Sequence, residues 1–394
     1  MKEKTPAPVR VGLLLSRLFK FYNHEAVEGM VAYVADRPWI QLVDCRFLDL
    51  SGIMPKLKAL RADALIMGLK QGEYQEVKRW LPSGCPSVNI HPDVLSDTIP
   101  SVRIHQQELA AASVQYFVRL GYHHMACLGT PGSTSFADFI QYFAEQATAF
   151  GVETCADFRI HLAEDYYSDG HIQSDPAFET WLLGLPRPVA ITTSGGYTGA
   201  YLNRTAQRLG LRVPDDIAIL SHSDDEACLF TTPPLAAFRS VGIEIGRHAL
   251  SILDATLQGK EHPTGAIEIA PPEVIERRST GYSSGMDANV KRALRFLRAH
   301  ACEGISVADI GNQVSGISRC KLYSEIRRYT GLSPAAEIRR LRLARACHLL
   351  AHTNQDLSSI AEQCGFTNAP QFSLTFRKQL QCTPRAYRLR CQQQ

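Results

Sequence analysis

The chain has 394 residues, more than one compact domain ordinarily holds, so two or three domains are expected. Its formal charge is only +3, from 42 Lys and Arg against 39 Asp and Glu, but the charge is unevenly placed. Residues 287–394 carry 3 Lys and 14 Arg against 7 Asp and Glu, a net of +10, which leaves 25 basic and 32 acidic side chains, a net of −7, on residues 1–286. With 45% apolar residues and no apolar run of about 18, the composition excludes a membrane-spanning helix and a wholly disordered chain, and the basic end implies an anionic partner. The eleven cysteines are scattered, odd in number and never spaced C-x-x-C, which fits a reducing compartment better than a disulfide framework. The polar stretch Met1–Pro8 has no apolar core or cleavage site of a signal peptide, so a cytoplasmic protein is expected.

In chain order, Val9–Leu15 reads as a buried strand, followed by an amphipathic helix from about Asn23 to Ala35. Ile40–Asp44 is read as a strand, Met54–Arg61 as a helix and Ala64–Met67 as a strand. Ser87–Ile90, Met125–Leu128, Phe158–His161, Val189–Thr193 and Ile217–Leu220 continue the strand series. Between them lie helical patterns at Glu108–Leu120, Phe136–Phe150, Ala177–Leu183 and Thr198–Leu209. Alternation of this kind implies βαβ units and parallel sheet, and more than 250 residues of it implies two α/β lobes. Small, polar residues at 279–287 then give way to helical spacing rich in arginine. The expected organisation is a two-lobed α/β domain over 1–280, a linker over 281–287 and an all-α domain over 288–394.

The all-α end repeats itself at an offset of 50 residues. Ile310-Gly311 matches Ile360-Ala361, Leu322 matches Phe372, Ile326 matches Phe376, Arg327-Arg328 matches Arg377-Lys378, and Ser333-Pro334 matches Thr383-Pro384. In each copy a short helix ends near a glycine, Gly316 or Gly365, and a second helix starts near Ser318 or Asn368. The first copy opens on Ser306 with Asp309 placed for a capping box. Two helices joined by a short glycine-containing turn describe a helix-turn-helix, here at about 306–328 and 356–378. Packing alone accounts for the apolar matches but not for the repeated cationic pairs, which are what phosphate neutralisation needs.

The run Ser358-Ser359-Ile360-Ala361-Glu362-Gln363-Cys364-Gly365-Phe366, with Phe372-Ser373, Phe376-Arg377-Lys378 and Thr383-Pro384-Arg385-Ala386-Tyr387-Arg388, resembles the second helix-turn-helix of AraC-type transcription regulators. That resemblance implies two recognition helices entering successive major grooves of double-stranded DNA, joined by a long helix over Pro334–His352. The first would present Arg319, Cys320, Tyr323 and Ser324 to bases, with Lys321 and Arg327 nearer phosphate. The second would present Asn368, Ala369, Gln371 and Ser373, flanked by Arg377 and Lys378. Leu374 departs from the basic or polar residue usual there.

The acidic front resembles the periplasmic-binding-protein-like sensor of LacI-type repressors. The resemblance rests on Tyr22–Gly29, Leu120–Gly129, Leu209–Leu220, Thr232–Leu235, Gly246 with Ala249 and Leu253, and Pro271–Thr280. Such a sensor ahead of an AraC-type module is similar to the xylose-responsive activators of bacteria. The resemblance implies a sugar effector held between the lobes, a homodimer formed through the sensor, and activation through RNA polymerase. Carried over, the ligand-binding residues would be Phe21, Tyr22, Asn23, His105, Gln106, Ser133, Thr134, Gly196, Ser223 and Asp224. The chain departs from the sugar-binding pattern at His105-Gln106, Gly196 and Ser223, where relatives carry Asp-Asn, Asp and Asp. Asp224 or Asp225 is a substitute carboxylate, and Arg103 with His105 suits a more anionic ligand. A ligand-free dimerisation platform and an α/β enzyme fused to a DNA-binding domain are the alternatives. Ser194–Gly199 matches neither dinucleotide nor P-loop spacing, His123-His124 lacks a third ligand, and no G-x-S-x-G elbow occurs, so no catalytic residue, metal or cofactor is expected.

Overall fold

The structure is a computed structural model. It describes residues 8–16, 20–45, 62–80, 84–94, 96, 98–160, 175–260, 265–281, 287–314, 316–330 and 332–392. The helix expected at Met54–Arg61 and residues 282–286 of the expected linker lie outside them. Two compact units are formed, one from residues 1–109, 132–139 and 239–273, the other from 110–131, 140–238 and 274–394.

The first unit is built on a parallel sheet of β1 (Val9–Leu15), β2 (Ile40–Asp44), β3 (Ala64–Gly68), β4 (Ser87–Asn89), β5 (Ser101–Ile104) and β11 (Ala266–Ile269). Their spatial order is β11-β5-β4-β3-β1-β2, and β1 pairs β3 from Val11↔Ala64 to Leu15↔Gly68. Successive side chains of β1 serve opposite faces. Val11, Leu13 and Leu15 join a core with Ala26, Met30, Ile245 and Leu253, whereas Leu14 joins Met67, Tyr74 and Val77. Both faces being covered, the strand needs the unbroken apolar run that the sequence shows. Helices α1 (Lys20–Val34) and the later Gly242–Leu257 cover the first face, and α2 (Gln71–Trp80) the second.

The second unit has the sheet order β12-β10-β9-β8-β6-β7. Its strands are β6 (His124–Gly129), β7 (Thr154–Arg159), β8 (Val189–Thr193), β9 (Ile217–Ser221), β10 (Ala236–Phe238) and β12 (Val274–Ile275). All pairs are parallel except β10 with β12. The strand expected at Phe158–His161 lies four residues earlier at its start. It is an edge strand paired from His124↔Thr154 to Gly129↔Arg159, and one-sided burial gives an edge strand no apolar run to mark its limits. Around the sheet are α3 (Gln106–Arg119), whose first residues belong to the other unit, α4 (Thr134–Ala149), α5 (Pro176–Gly184), α6 (Gly196–Arg208) and α7 (Glu226–Leu229). The aromatic rings of Phe158, Phe178, Trp181 and Tyr201 meet in its core. The helix Gly242–Leu257 of the first unit is α8.

The C-terminal helices belong to this second unit: α9 (Ala288–His300), α10 (Val307–Asn312), α11 (Arg319–Thr330), α12 (Pro334–His352), α13 (Leu357–Gln363), α14 (Ala369–Leu380) and α15 (Pro384–Gln392). Local chemistry sets their starts. Ser306 and Asp309 form the expected capping box on α10, Ser333 caps α12 ahead of Pro334, and the Asp356 side chain accepts from Ser358 N and Ser359 N at the start of α13. Gly316 and Gly365 sit at φ +78° and +72° in the two turns, the left-handed geometry that ends a helix cheaply only with glycine. Leu343, Ala346, Leu350, Ile360, Ala361, Phe372 and Phe376 make one core across α12, α13 and α14.

Arginines join these helices to the sheet of the same unit. Arg340 of α12 reaches Asp215 and Asp216 in the turn before β9. Arg345 lies beside His124 of β6 and Glu153. Lys291 pairs with Glu276, and Arg295 and Arg298 of α9 donate to the carbonyls of Arg119 and Thr280. The hydroxyl of Ser279, in the 3-10 turn Arg278–Thr280, donates to Ile219 O at 2.6 Å and accepts from Ala236 N at 2.7 Å. A good part of the C-terminal positive charge is therefore structural. No helix among the described residues is long and apolar enough to cross a membrane.

Candidate nucleic-acid interface and ligand site

Helices α11 and α14 each run 12 residues and start at the two ends of the 50-residue offset, Arg319 and Ala369. Both bury the same register, Leu322 and Ile326 in one, Phe372 and Phe376 in the other. The opposite face of α11 carries Arg319, Cys320, Lys321, Ser324 and Arg327, all exposed. Tyr323 stands apart from them: it is half-buried, and its hydroxyl donates to Val307 O of α10 at 3.2 Å. The outer face of α14 carries Gln371, Leu374, Arg377 and Lys378. Asn368 is the N-cap, its Oδ1 accepting from Gln371 N at 2.9 Å. Gln371 turns its Oε1 back to Thr367 N at 3.2 Å. Ala369 packs against the core beneath the helix, and Ser373 is half-buried. The cationic ends Arg327-Arg328 and Arg377-Lys378 fall in the last turns of both helices, where they also oppose the helix dipole.

Among the expected ligand residues of the first unit, Phe21 lies on α1, and Asn23 is buried with its Nδ2 donating to Ser16 O at 2.6 Å. Tyr22 donates its hydroxyl to Ile90 O at 3.0 Å, and burial, reinforced by Glu25, drives its ionisation far above the usual range. His105 caps α3 and approaches Glu268 at 3.3 Å, and Arg103 donates twice to the same carboxylate. The positive charge of Arg103 is thus countered by Glu268, which also lies beside His105. Gln106 is buried, with Nε2 3.4 Å from Ile104 O. Ser133 donates to Asp93 at 2.8 Å and Thr134 to Asp93 O at 3.3 Å, while Ser135 gives the same carboxylate two more hydrogen bonds. The sequence does not mark Asp93, because nothing in its local pattern separates it from an ordinary turn residue.

In the second unit Asp224 is held by Arg277 in a two-pronged pair at 2.7 and 2.9 Å. Its neighbour Asp225 turns inward instead. It caps α7 through Ala227 N at 3.0 Å and accepts from Gly196 N at 2.9 Å and Ser223 Oγ at 3.3 Å. Burial outweighs these donors and pushes its carboxyl up to about 6. A Cβ on Gly196 would lie 2.0 Å from the Asp225 carboxylate, so Asp225 fills the space a side chain at 196 would take. Gly196, Ser223 and Asp225 are brought together; Asp224 faces elsewhere. His124 lies against Arg345, and burial together with that arginine's charge holds its imidazole down to about 4. Among the described residues no three His, Cys, Asp or Glu side chains gather as a metal site.

Residues 114–280 match the family model of a periplasmic binding protein-like domain, and residues 312–390 that of a helix-turn-helix domain. The chain therefore joins a periplasmic binding protein-like domain to a helix-turn-helix domain, in the order the sequence motifs imply. It is similar to the xylose operon regulatory protein of Escherichia coli K12, 29% identical over 209 residues, 53% of each chain. It is also similar to that of Haemophilus influenzae, 26% identical over 237 residues, 59% of this chain and 61% of the relative. The transcriptional activator RhaS of an Enterobacter species is 34% identical over 102 residues, 26% of this chain and 36% of the relative. The chain matches only about half the length of the curated xylose regulators. In fold it follows the xylose-binding transcription activator xylR, with a TM-score of 0.55 and 22% identity over 98% of this chain and 99% of that one. An operator-bound lac repressor dimer gives 0.52 and 18% over 70% and 95%.

Proposed function

We propose that the chain is a sequence-specific DNA-binding transcription regulator, an activator of sugar catabolic genes whose DNA binding is controlled by a small effector. The observation that carries this reading is the equal register of α11 and α14. Two helices of equal length, 50 residues apart, bury the same positions and turn cationic, polar faces outward. Placed in successive major grooves, such faces combine phosphate neutralisation with contacts to base edges. The domain in front supplies the sensor. A sugar effector follows from the names of the relatives, and xylose heads the panel to be tried. The regulator acts in the cytoplasm as a homodimer formed through the sensor domain, and recruits RNA polymerase.

The test has two arms. Selection of duplexes from a random library should enrich a bipartite site, and gel shifts on it should change when the right pentose, hexose or sugar acid is added. A thermal-shift screen with the same panel should show one compound raising the melting temperature by mass action. A second reading, a constitutive DNA-binding dimer with a silent sensor, is favoured by specific pairings. Arg277 occupies Asp224, Glu268 counters Arg103 beside His105, and Asp225 fills the space beside Gly196. On that reading the site is enriched, yet no sugar alters binding or melting.

A further inference from the structure

Leu374 is the more exposed of the two large apolar side chains that α14 leaves to solvent, 72% accessible against 40% for Leu380, on a helix that has already buried its apolar side through Phe372 and Phe376. Its surroundings are not those of a protein docking surface. Gln371 lies one turn before it, and Arg377 and Lys378 one turn after, all exposed, so a leucine is set within a cationic face. The internal repeat gives it a counterpart. Leu374 is the sixth residue of α14, and Ser324, exposed and hydroxyl-bearing, is the sixth residue of α11. Because both helices bury the same register, the two side chains leave their helices in the same direction relative to their own modules.

The amide readers that the sequence offers on α14 are engaged at its N-terminus. A bidentate contact to adenine uses the side-chain carbonyl as acceptor and the NH2 as donor. Here the Asn368 carbonyl caps Gln371 N and the Gln371 carbonyl is turned to Thr367 N. Arg377 and Lys378 sit in the last turn, where charge serves phosphates. Leu374 is left as the central outward side chain, and it can make only an apolar contact. In the major groove the apolar group on a base edge is the C5-methyl of thymine.

We propose that the second helix-turn-helix reads a thymine through its methyl group, with Leu374 as the side chain that touches it, while the first reads the equivalent position through the Ser324 hydroxyl. The two halves of the bound site are then chemically unlike, one chosen by hydrogen bonds and one by shape and methyl contact. This rests on the DNA-binding reading above.

The full chain is used to select duplexes from a random library, and each thymine of the half-site assigned to the second module is replaced in turn by deoxyuridine, which removes the methyl alone. One such replacement should weaken binding of the native chain by about fourfold, the worth of one buried methyl-sized group. The same replacement should have no effect on Leu374→Ala, and its usual effect on Ser324→Ala. Both side chains are exposed, so melting temperatures should stay at the native value, and equal affinity for random duplex confirms an intact basic face. If no deoxyuridine position matters, or if Leu374→Ala feels the loss as strongly as the native chain, the assignment of Leu374 is overturned. If no sequence is enriched over random DNA, the failure lies in the sequence-specific DNA-binding reading itself, and this inference falls with it.

Discussion

Arg340, on the helix that joins the two helix-turn-helix modules, holds its guanidinium 3.7 Å from the carboxylate of Asp215, 125 residues away in the turn before β9. It also donates twice to Glu337, at 2.6 and 2.7 Å, and stands 3.8 Å from Asp216. One buried cation, helped from the rim by Arg212, thus serves three carboxylates. Burial raises the Asp215 carboxyl, and Arg340 is the largest influence pulling it back. Replacing Arg340 by alanine leaves Glu337 without its cation and Asp215 and Asp216 with only Arg212 at the rim, and breaking a buried pair from one side costs about 3–5 kcal/mol. Arg340→Ala should therefore lower the urea midpoint markedly, whereas Arg212→Ala, on a half-exposed side chain, should cost under about 1 kcal/mol. Equal small losses for both would show that the contact adds nothing to the stability of this unit.

Asp225 makes stability depend on pH in a calculable direction. Its carboxyl is pushed up to about 6 by burial, against Gly196 N, Ala227 N and the Ser223 hydroxyl, with Asp224 adding a little. An unfolded aspartate titrates near 3.9, so the folded state binds this proton more tightly. The stabilisation is fully present below about pH 4 and is lost as the pH rises through 6, to the extent of about 3 kcal/mol. Asp225→Asn retains an acceptor for Gly196 N and carries no charge. Chemical denaturation at pH 4, 5, 6, 7 and 8 should show a flatter profile for the variant than for the native chain. Parallel profiles would mean that Asp225 does not titrate in that window.

What the sequence made legible follows from how local the signals are. β1, β3, β8 and β9 are buried on both faces, so each announces itself as an apolar run within a residue or two of its limits. The capping residues Ser306 and Asp309 act within one turn, and the structure shows their hydrogen bonds as the pattern implies. β5 is hidden because Arg103 interrupts it, and only the Glu268 of β11, 165 residues on, makes that arginine welcome. The same limit governs the acid cluster. Asp224 and Asp225 are indistinguishable in sequence, and it takes Arg277 to draw one outward and Gly196 N to draw the other in. The Leu209–Leu220 signature holds Asp215, Asp216 and their half-exposed partner Arg212, but the buried partner Arg340 lies 125 residues further on, beyond anything that motif displays.

Glycine at 246 is required by a backbone contact. Helices α1 and α8 pack so closely that a Cβ at Gly246 would lie 1.9 Å from Ala26 O, and one at Gly29 would lie 2.0 Å from Ile243 O. Both obstacles are carbonyls inside helices, which cannot swing aside as a side chain does. Gly246→Ala gains about 1 kcal/mol of helix propensity, yet it must push the helices apart along the Ala26, Met30, Ile245 and Ala249 core. A net loss of more than about 2 kcal/mol is expected, of the size overpacking brings. Gly72→Ala, at an open position on α2, serves as the control and should be neutral or slightly stabilising. Matching melting temperatures for the two variants would show that α1 and α8 have room to part.

Arg319 and Lys321 should separate base reading from phosphate binding on α11. Arg319 is the first residue of the helix and exposed; its Nε lies 3.5 Å and its Cγ 3.9 Å from where a Gly311 Cβ would stand, and swung outward from α10 its planar fork suits a guanine edge. Lys321 is exposed beside it, a point charge without bidentate geometry. Arg319→Ala should weaken binding to the selected duplex by about 1–3 kcal/mol and relax the preference at one base position. Lys321→Ala should weaken binding to selected and random duplexes alike, and reduce the slope of log affinity against log salt by about 1. Titrations of each variant on both duplexes, at several salt concentrations, read both quantities. An Arg319→Ala loss equal on random and selected DNA, with a shallower salt slope, would assign that guanidinium to phosphate instead of to a base.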